Sequence, residues 1–231
     1  MISKGDTEKQ AVLRNSMIKK GKAKRSKYVS RVLSVLKPGM KILDIGCGTA
    51  HIIQDMVTNR KTSEHVGLDV SKAMLKLAKE NCERFHNIGL VVGDGLILPF
   101  PEKIFDIVIT RLAEYSPQEA YRVLKKGGIF FECSLGPQSR REIFEFFPER
   151  IEIENFFFPN NLNEWKQEVT EPIERAGFIV SEVQDYKEND YYSNEDELMD
   201  LIEMVPLVKN FDRKIECWSR NLRKSVAKKR A

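Results

Sequence analysis

From residue 41 to residue 186, short apolar runs alternate with segments of helical periodicity, and that alternation limits the fold more than any other feature. KILDIG (41–46), HVGLDV (65–70), IGLVVGD (88–94), FDIVITR (105–111), IFFECSL (129–135) and FIVSEVQDY (178–186) read as six strands. Between them lie helices over 51–59, over 71–85 with Ser71 as N-cap, over 118–128 closed by glycine, and over 163–178, interrupted or started near Pro172. Further helices are predicted over 7–20, over 26–36, where Tyr28, Val29, Val32, Leu33 and Leu36 share one side, and over 194–205 behind Asn194. Strands joined by helical crossovers give a mainly parallel sheet. Continuously apolar strands such as 107–109 require both its faces to be covered. The expected architecture is α/β, three-layered and doubly wound, with N-terminal helices.

A chain of 231 residues holds one ordinary domain. Apolar residues make 42% and charged residues 31%, which excludes a disordered or fibrous chain. No window of eighteen apolar residues offers a membrane span, and MISKGDTEKQ has no apolar signal core. Cys47, Cys82, Cys133 and Cys217 form no CxxC pair, which points to a reducing, cytoplasmic setting. His51, His65 and His86 follow no metal-ligand spacing, so no metal site is expected.

Charge is uneven. Residues 1–31 carry ten basic against two acidic residues, and residues 213–231 carry eight against one. Basic ends on an acidic body suit RNA, or are only solvated helix faces and a frayed terminus. No aromatic ring interleaves with the last basic run after Trp218, which weakens a stacking groove for single strands.

The turn Asp44-Ile45-Gly46-Cys47-Gly48-Thr49-Ala50 sits where the first strand becomes a helix. Glycines there let the backbone turn tightly and approach a ligand. Asp69 ends the second strand, placed for a ribose, and Asp94 ends the third within Gly93-Asp94-Gly95, placed for an adenine amino group. Leu68, Val70 or Leu96 are then the residues to pack the ring. Each acid has a plainer role: Asp44 bracing loop amides, Asp69 capping the 71–85 helix, Asp94 a turn residue. Three such acids at three consecutive strand ends are hard to obtain from turn chemistry alone. The third glycine of a dinucleotide fingerprint is replaced by His51, and no GxxxxGK[ST] loop exists. The loop suits a nucleoside with an uncharged or zwitterionic arm better than a diphosphate.

KILDIGCGTA, HVGLDVSKAMLKLAKE, LVVGDGLILPFPEKIFDIVITR and EAYRVLKKGGIFFE, in this order over roughly residues 28–135, resemble the class I S-adenosylmethionine-dependent methyltransferases, in particular the type 11 group. EPIERAGFIVSEVQ resembles the next helix and strand. The resemblance implies a Rossmann-like fold of six strands, or seven with the last displaced or missing, since 206–231 read as a basic helix or loose tail. It implies one methyltransferase domain: a basic helical cap (1–36), a cofactor core (37–135), an acceptor-side segment with the last strand (136–205) and the tail (206–231). It places S-adenosyl-L-methionine against Asp44, Gly46, Cys47, Gly48, Asp69, Val70, Asp94, Gly95 and Arg111. Ala50 stands at a frequent third glycine, a change expected only to narrow the loop.

Methyl transfer from a sulfonium is an in-line displacement in which orientation supplies much of the rate. Arg111, Glu114 and Tyr115, just past the fourth strand, are the acceptor-side candidates. Glu114 is either a base or a solvent-facing acid, and Tyr115 either lines the site or packs. The strand ends ITRL, without the NPPY-like turn of exocyclic-amine methylation or a Pro-Cys pair. The aromatic stretch 136–163 and Asp190, Tyr191 and Tyr192 either cover an apolar acceptor or pack on the sheet. The leading expectation is a small-molecule O or N acceptor. RNA is the alternative, and a non-catalytic cofactor-fold protein the third.

Overall fold

Five of the apolar runs become strands: β1 (Lys41–Ile45), β2 (Glu64–Asp69), β3 (Ile88–Val92), β4 (Phe105–Arg111) and β5 (Leu124–Cys133). The computed structural model describes residues 8–19, 27–59, 62–136, 139, 162–185 and 194–204. Its strands form one sheet in the order β3-β2-β1-β4-β5, every pair parallel. The order reverses between β1 and β4, so a crevice opens at their carboxyl ends, the usual ligand position in such sheets.

Both faces are covered, as continuous apolar strands demand. On one face α2 (Lys27–Val35), α3 (His51–Asn59) and α4 (Lys72–Cys82) bury Tyr28, Val32, Ile53, Met56 and Ala78 against Ile42, Ile107 and Ile109. On the other, α5 (Pro117–Val123) buries Ala120 and Val123 against Leu43, Ile45, Leu68 and Val108. Each fully buried aliphatic side chain contributes about 1.5–3 kcal/mol relative to exposure. α1 (Glu8–Met17) packs on α4, and α6 (Leu162–Arg175) on α5. Ser71 caps α4 by accepting from the Met74 amide at 3.2 Å. Residues 1–139 with 157–186 form one compact unit. The second unit, 140–156 with 187–231, is described through α7 (Glu195–Met204), where Asn194 accepts from the Glu197 amide at 2.9 Å.

Three expectations are corrected. The helix placed over 118–128 ends at Val123, because Leu124 turns extended and pairs with Phe105. β5 therefore starts five residues early and carries an irregular excursion, held by the Lys125 ammonium on the Asp106 carboxylate at 2.8 Å and turned at Gly127, φ 77°. The sixth strand over 178–186 does not form in residues 178–185, so the described sheet has five strands. Phe178 instead stacks on Phe130, with ring centroids 5.2 Å apart. Pro172 neither starts nor stops α6, which runs through it. The tail 206–231, residues 140–161 and the group Asp190, Tyr191 and Tyr192 lie outside the described residues.

His65 sits inside β2, flanked by Ile42 and Ile88, with both ring nitrogens buried and unpartnered. Burial pulls its pKa from 6.5 to about 4. The unfolded chain therefore takes a proton first on acidification. The stability tied to the neutral ring is complete above pH 6.5 and is lost as pH falls towards 4, on the order of 3 kcal/mol over the full window. His51, Asp44 and Glu132 titrate in overlapping ranges, so the variant His65→Leu isolates the effect. Its urea midpoint, compared with wild type, should rise in relative terms between pH 7.5 and pH 5. A constant difference between the two proteins across that range refutes the linkage.

Candidate functional site

The glycine turn after β1 is wound by its neighbours. The Gly46 and Cys47 amides both donate to the Leu68 carbonyl, at 2.8 and 3.0 Å. The Gly48 amide donates to Asp69 Oδ2 at 2.8 Å, and Asp69 Oδ1 accepts from the Ser71 amide at 2.8 Å. Gly46 and Gly48 have φ of 75° and 54°, a region that only glycine enters without cost. Ala50 enters it too, at 61° and fully buried, so its effect on the loop is backbone strain as well as bulk.

Asp44 braces no loop amide. It is 2% exposed, its Oδ2 has no hydrogen-bond partner among the described residues, and burial with the nearby Asp69 charge pushes its pKa up to about 8 against the pull of Arg111. A buried carboxylate without partners carries a large desolvation cost, which a cationic ligand group relieves. Bracing falls to Asp69, which faces the glycine turn and is 9% exposed. Asp94 is a turn residue in part: its Oδ1 accepts from the Leu96 amide at 2.9 Å, and its other oxygen has no partner among the described residues. Glu119 and Arg122 hold the loop after it, with Arg122 donating to the Phe100 and Leu98 carbonyls at 2.8 and 3.0 Å.

The lip of the crevice is the turn after β4. A Cβ on Gly46 would lie 2.2 Å from the Ala113 Cβ, and one on Gly95 would lie 2.4 Å from the Glu114 carbonyl. Both glycines are thus required by close approach of chain to chain. The Ser116 amide ties the same turn to the Gly95 carbonyl at 3.1 Å.

Other expected residues divide. Val70 is 53% exposed, an apolar surface beside Asp69. Leu68 is not available to a ring: it is 1% exposed and buried beneath Gly93. The Cys47 thiol turns inward, buried against Gly67 and Ile53, and is pushed up by burial. Arg111 is half-buried on the Asp44 side. Glu114 is exposed. Tyr115 packs on Phe130 at 5.3 Å, its phenol raised by burial and by Glu132.

Two residues were missed. Glu132, paired with Thr110 at the end of β5, is half-buried, and burial raises its pKa to about 7 despite a Ser134 hydrogen bond. Its signal was an acid inside an otherwise apolar strand. Arg14 of α1 lies over Gly48 and had no local signal at all. Tyr28 anchors α2 here, its hydroxyl donating to the Thr110 and Phe131 carbonyls at 3.0 and 3.2 Å.

These residues fit S-adenosylmethionine. Orphaned buried atoms on Asp44, Thr49, His51 and Thr110 gather near the turn, Gly48 has open space above its Cα apart from the Arg14 guanidinium, and acids close three adjacent strand ends.

Comparison with known proteins agrees. A family model described as "Methyltransferase domain" matches residues 36–177. The demethylmenaquinone methyltransferase of Staphylococcus saprophyticus is 38% identical over 111 residues, 45% of this chain and 47% of that protein. That of Listeria innocua is 37% identical over 112 residues, 44% and 47%. The chain thus matches about half the length of these curated relatives. Among solved structures, the Haloferax volcanii complex between the Trm112 methyltransferase activator and a methyltransferase superposes with TM-score 0.60 at 20% identity, covering 85% of this chain and 92% of that one. An Aquifex aeolicus SAM dependent methyltransferase superposes with TM-score 0.54 at 21% identity, covering 72% and 89%. With the family model covering more than half of its length, the sheet order 3-2-1-4-5 and the glycine turn facing three strand-end acids, the chain belongs to the methyltransferase-domain family, in its class I, S-adenosylmethionine-dependent architecture.

Proposed function

We propose that this protein is an enzyme that transfers a methyl group from S-adenosyl-L-methionine to a small-molecule O or N acceptor. The observation that carries the reading is the buried, unpartnered Asp44 carboxylate beside the glycine turn and Asp69. When bound, S-adenosylmethionine supplies a methyl already activated by its sulfonium. The chain's own residues do the rest. Asp44 takes the ammonium of the amino-acid arm, Asp69 the ribose hydroxyls through its remaining lone pairs, Asp94 the adenine amino group, and Val70 one ring face. Gly46, Gly48 and Gly95 keep the backbone close, and Arg111 stands between cofactor and acceptor. Residues 37–135 of a single domain carry this machinery.

On the acceptor side, burial raises the Glu132 carboxyl to about 7, which suits it to hold or release a proton near neutral pH. Tyr115 shapes that side by packing on Phe130. The curated relatives' names, demethylmenaquinone methyltransferase, favour a small molecule over RNA. The basic stretches that motivated RNA lie mostly outside the described residues. No helix among the described residues is long and apolar enough to cross a membrane. The scattered cysteines support a cytoplasmic setting.

Calorimetry should show binding of S-adenosylmethionine and S-adenosylhomocysteine. With methyl-labelled donor and a cell extract, label should enter a ribonuclease-resistant small product. Label in ribonuclease-sensitive polymer would select the RNA reading. Binding without any product would select a non-catalytic protein, and no binding would remove all three.

A further inference from the structure

We propose that Arg14 of α1 binds the carboxylate of the cofactor's amino-acid arm, which makes the N-terminal helix part of the cofactor site. This rests on the cofactor reading above. The Arg14 Nη1 lies 3.8 Å from where a Cβ on Gly48 would stand, and among the described residues beyond the two chain neighbours no other atom comes within 4 Å of that position. The guanidinium therefore occupies the space over the turn that the absence of a Gly48 side chain leaves open.

Its position is fixed by the neighbouring residue. The Asn81 amide of α4 donates to Asn15 Oδ1 at 2.8 Å and to the Thr49 carbonyl at 3.1 Å. One side chain thus ties α1 to the glycine turn. Ala11, 1% exposed, seats the helix one turn earlier.

The electrostatics ask for an anion. Arg14 is half-buried and its side chain forms no ion pair or hydrogen bond among the described residues, and the same holds for the Arg111 side chain. Both bear on His51, whose Nδ1 is buried and unpartnered and which they and burial hold neutral. α3 begins at His51, so the positive end of its dipole adjoins the two guanidiniums. Asp44, its Oδ2 buried and without a partner among the described residues, lies near Arg111. A guanidinium over the turn and a buried acid at the adjoining strand end match an amino acid's carboxylate and ammonium. The planar fork of an arginine suits a carboxylate.

The test uses two ligands that differ only in this group: S-adenosylmethionine and decarboxylated S-adenosylmethionine. Calorimetry on the full chain should show Arg14→Gln weakening S-adenosylmethionine by roughly tenfold or more. The decarboxylated ligand should lose less than about twofold. Arg14→Lys should recover part of the loss, and the thermal midpoint of both variants should stay near wild type. Equal losses for the two ligands, or none for either, would overturn the assignment while leaving the cofactor reading intact. Failure of the wild type to bind either ligand would overturn that reading and the assignment with it.

Discussion

Replacing Asp69 with alanine is expected to lower affinity for S-adenosylmethionine by roughly 100-fold or more and to lower the thermal midpoint as well. The carboxylate does two things at once. It accepts the Gly48 and Ser71 amides, each at 2.8 Å, and so joins the glycine turn to the start of α4. Hydrogen bonds to a charged acceptor contribute about 1.5–3 kcal/mol each, and alanine leaves both buried amides without a partner. In the proposed reading its remaining lone pairs also take the ribose hydroxyls. An asparagine in place of the acid keeps one acceptor oxygen but turns an amide towards one of the two donors, so Asp69→Asn should lie between wild type and Asp69→Ala. Calorimetry with thermal unfolding checks this. Wild-type affinity in Asp69→Ala would sink the assignment of the site.

The second large effect is steric. Gly46→Ala puts a methyl 2.2 Å from the Ala113 Cβ on a residue with φ 75°. The backbone strain is about 1–2 kcal/mol. The overlap forces the turn after β4 away from the turn after β1, at a further cost of about 1–3 kcal/mol. Those two turns form the two lips of the crevice, so binding should fall below detection even where the protein still folds. Ala113→Gly removes the atom that is struck and keeps the φ strain. The double variant should therefore recover binding in part, a coupling that independent sites would not show. Full binding in Gly46→Ala alone, by the same calorimetry, would mean that the lips are not in contact.

Much of the candidate site is legible in the sequence because its parts are local. A glycine turn after an apolar strand, and an acid at each of three strand ends, lie within a few residues of the elements that carry them. The errors came where distant segments decide. Nothing near Leu124 announces that it will pair with Phe105, so the local pattern extends the helix to Gly128. FIVSEVQDY has strand-like apolarity, yet Phe178 meets Tyr121 and Phe130 as rings rather than entering a ladder. Cys47 sits in the binding motif, but Gly67 on the next strand leaves room for its thiol to turn inward.

The amino-acid order determined the parallel sheet, the position of its switch point and the glycines at that point, since periodicity and backbone freedom are properties of neighbours in the chain. Tertiary structure decided which acid braces and which stays unpartnered, and it brought Tyr28 to the Thr110 carbonyl 82 residues away and Arg14 over Gly48. Charge, burial and hydrogen-bond satisfaction depend on what surrounds a group in space. They are settled only when α1, α2 and the strand ends close on one another.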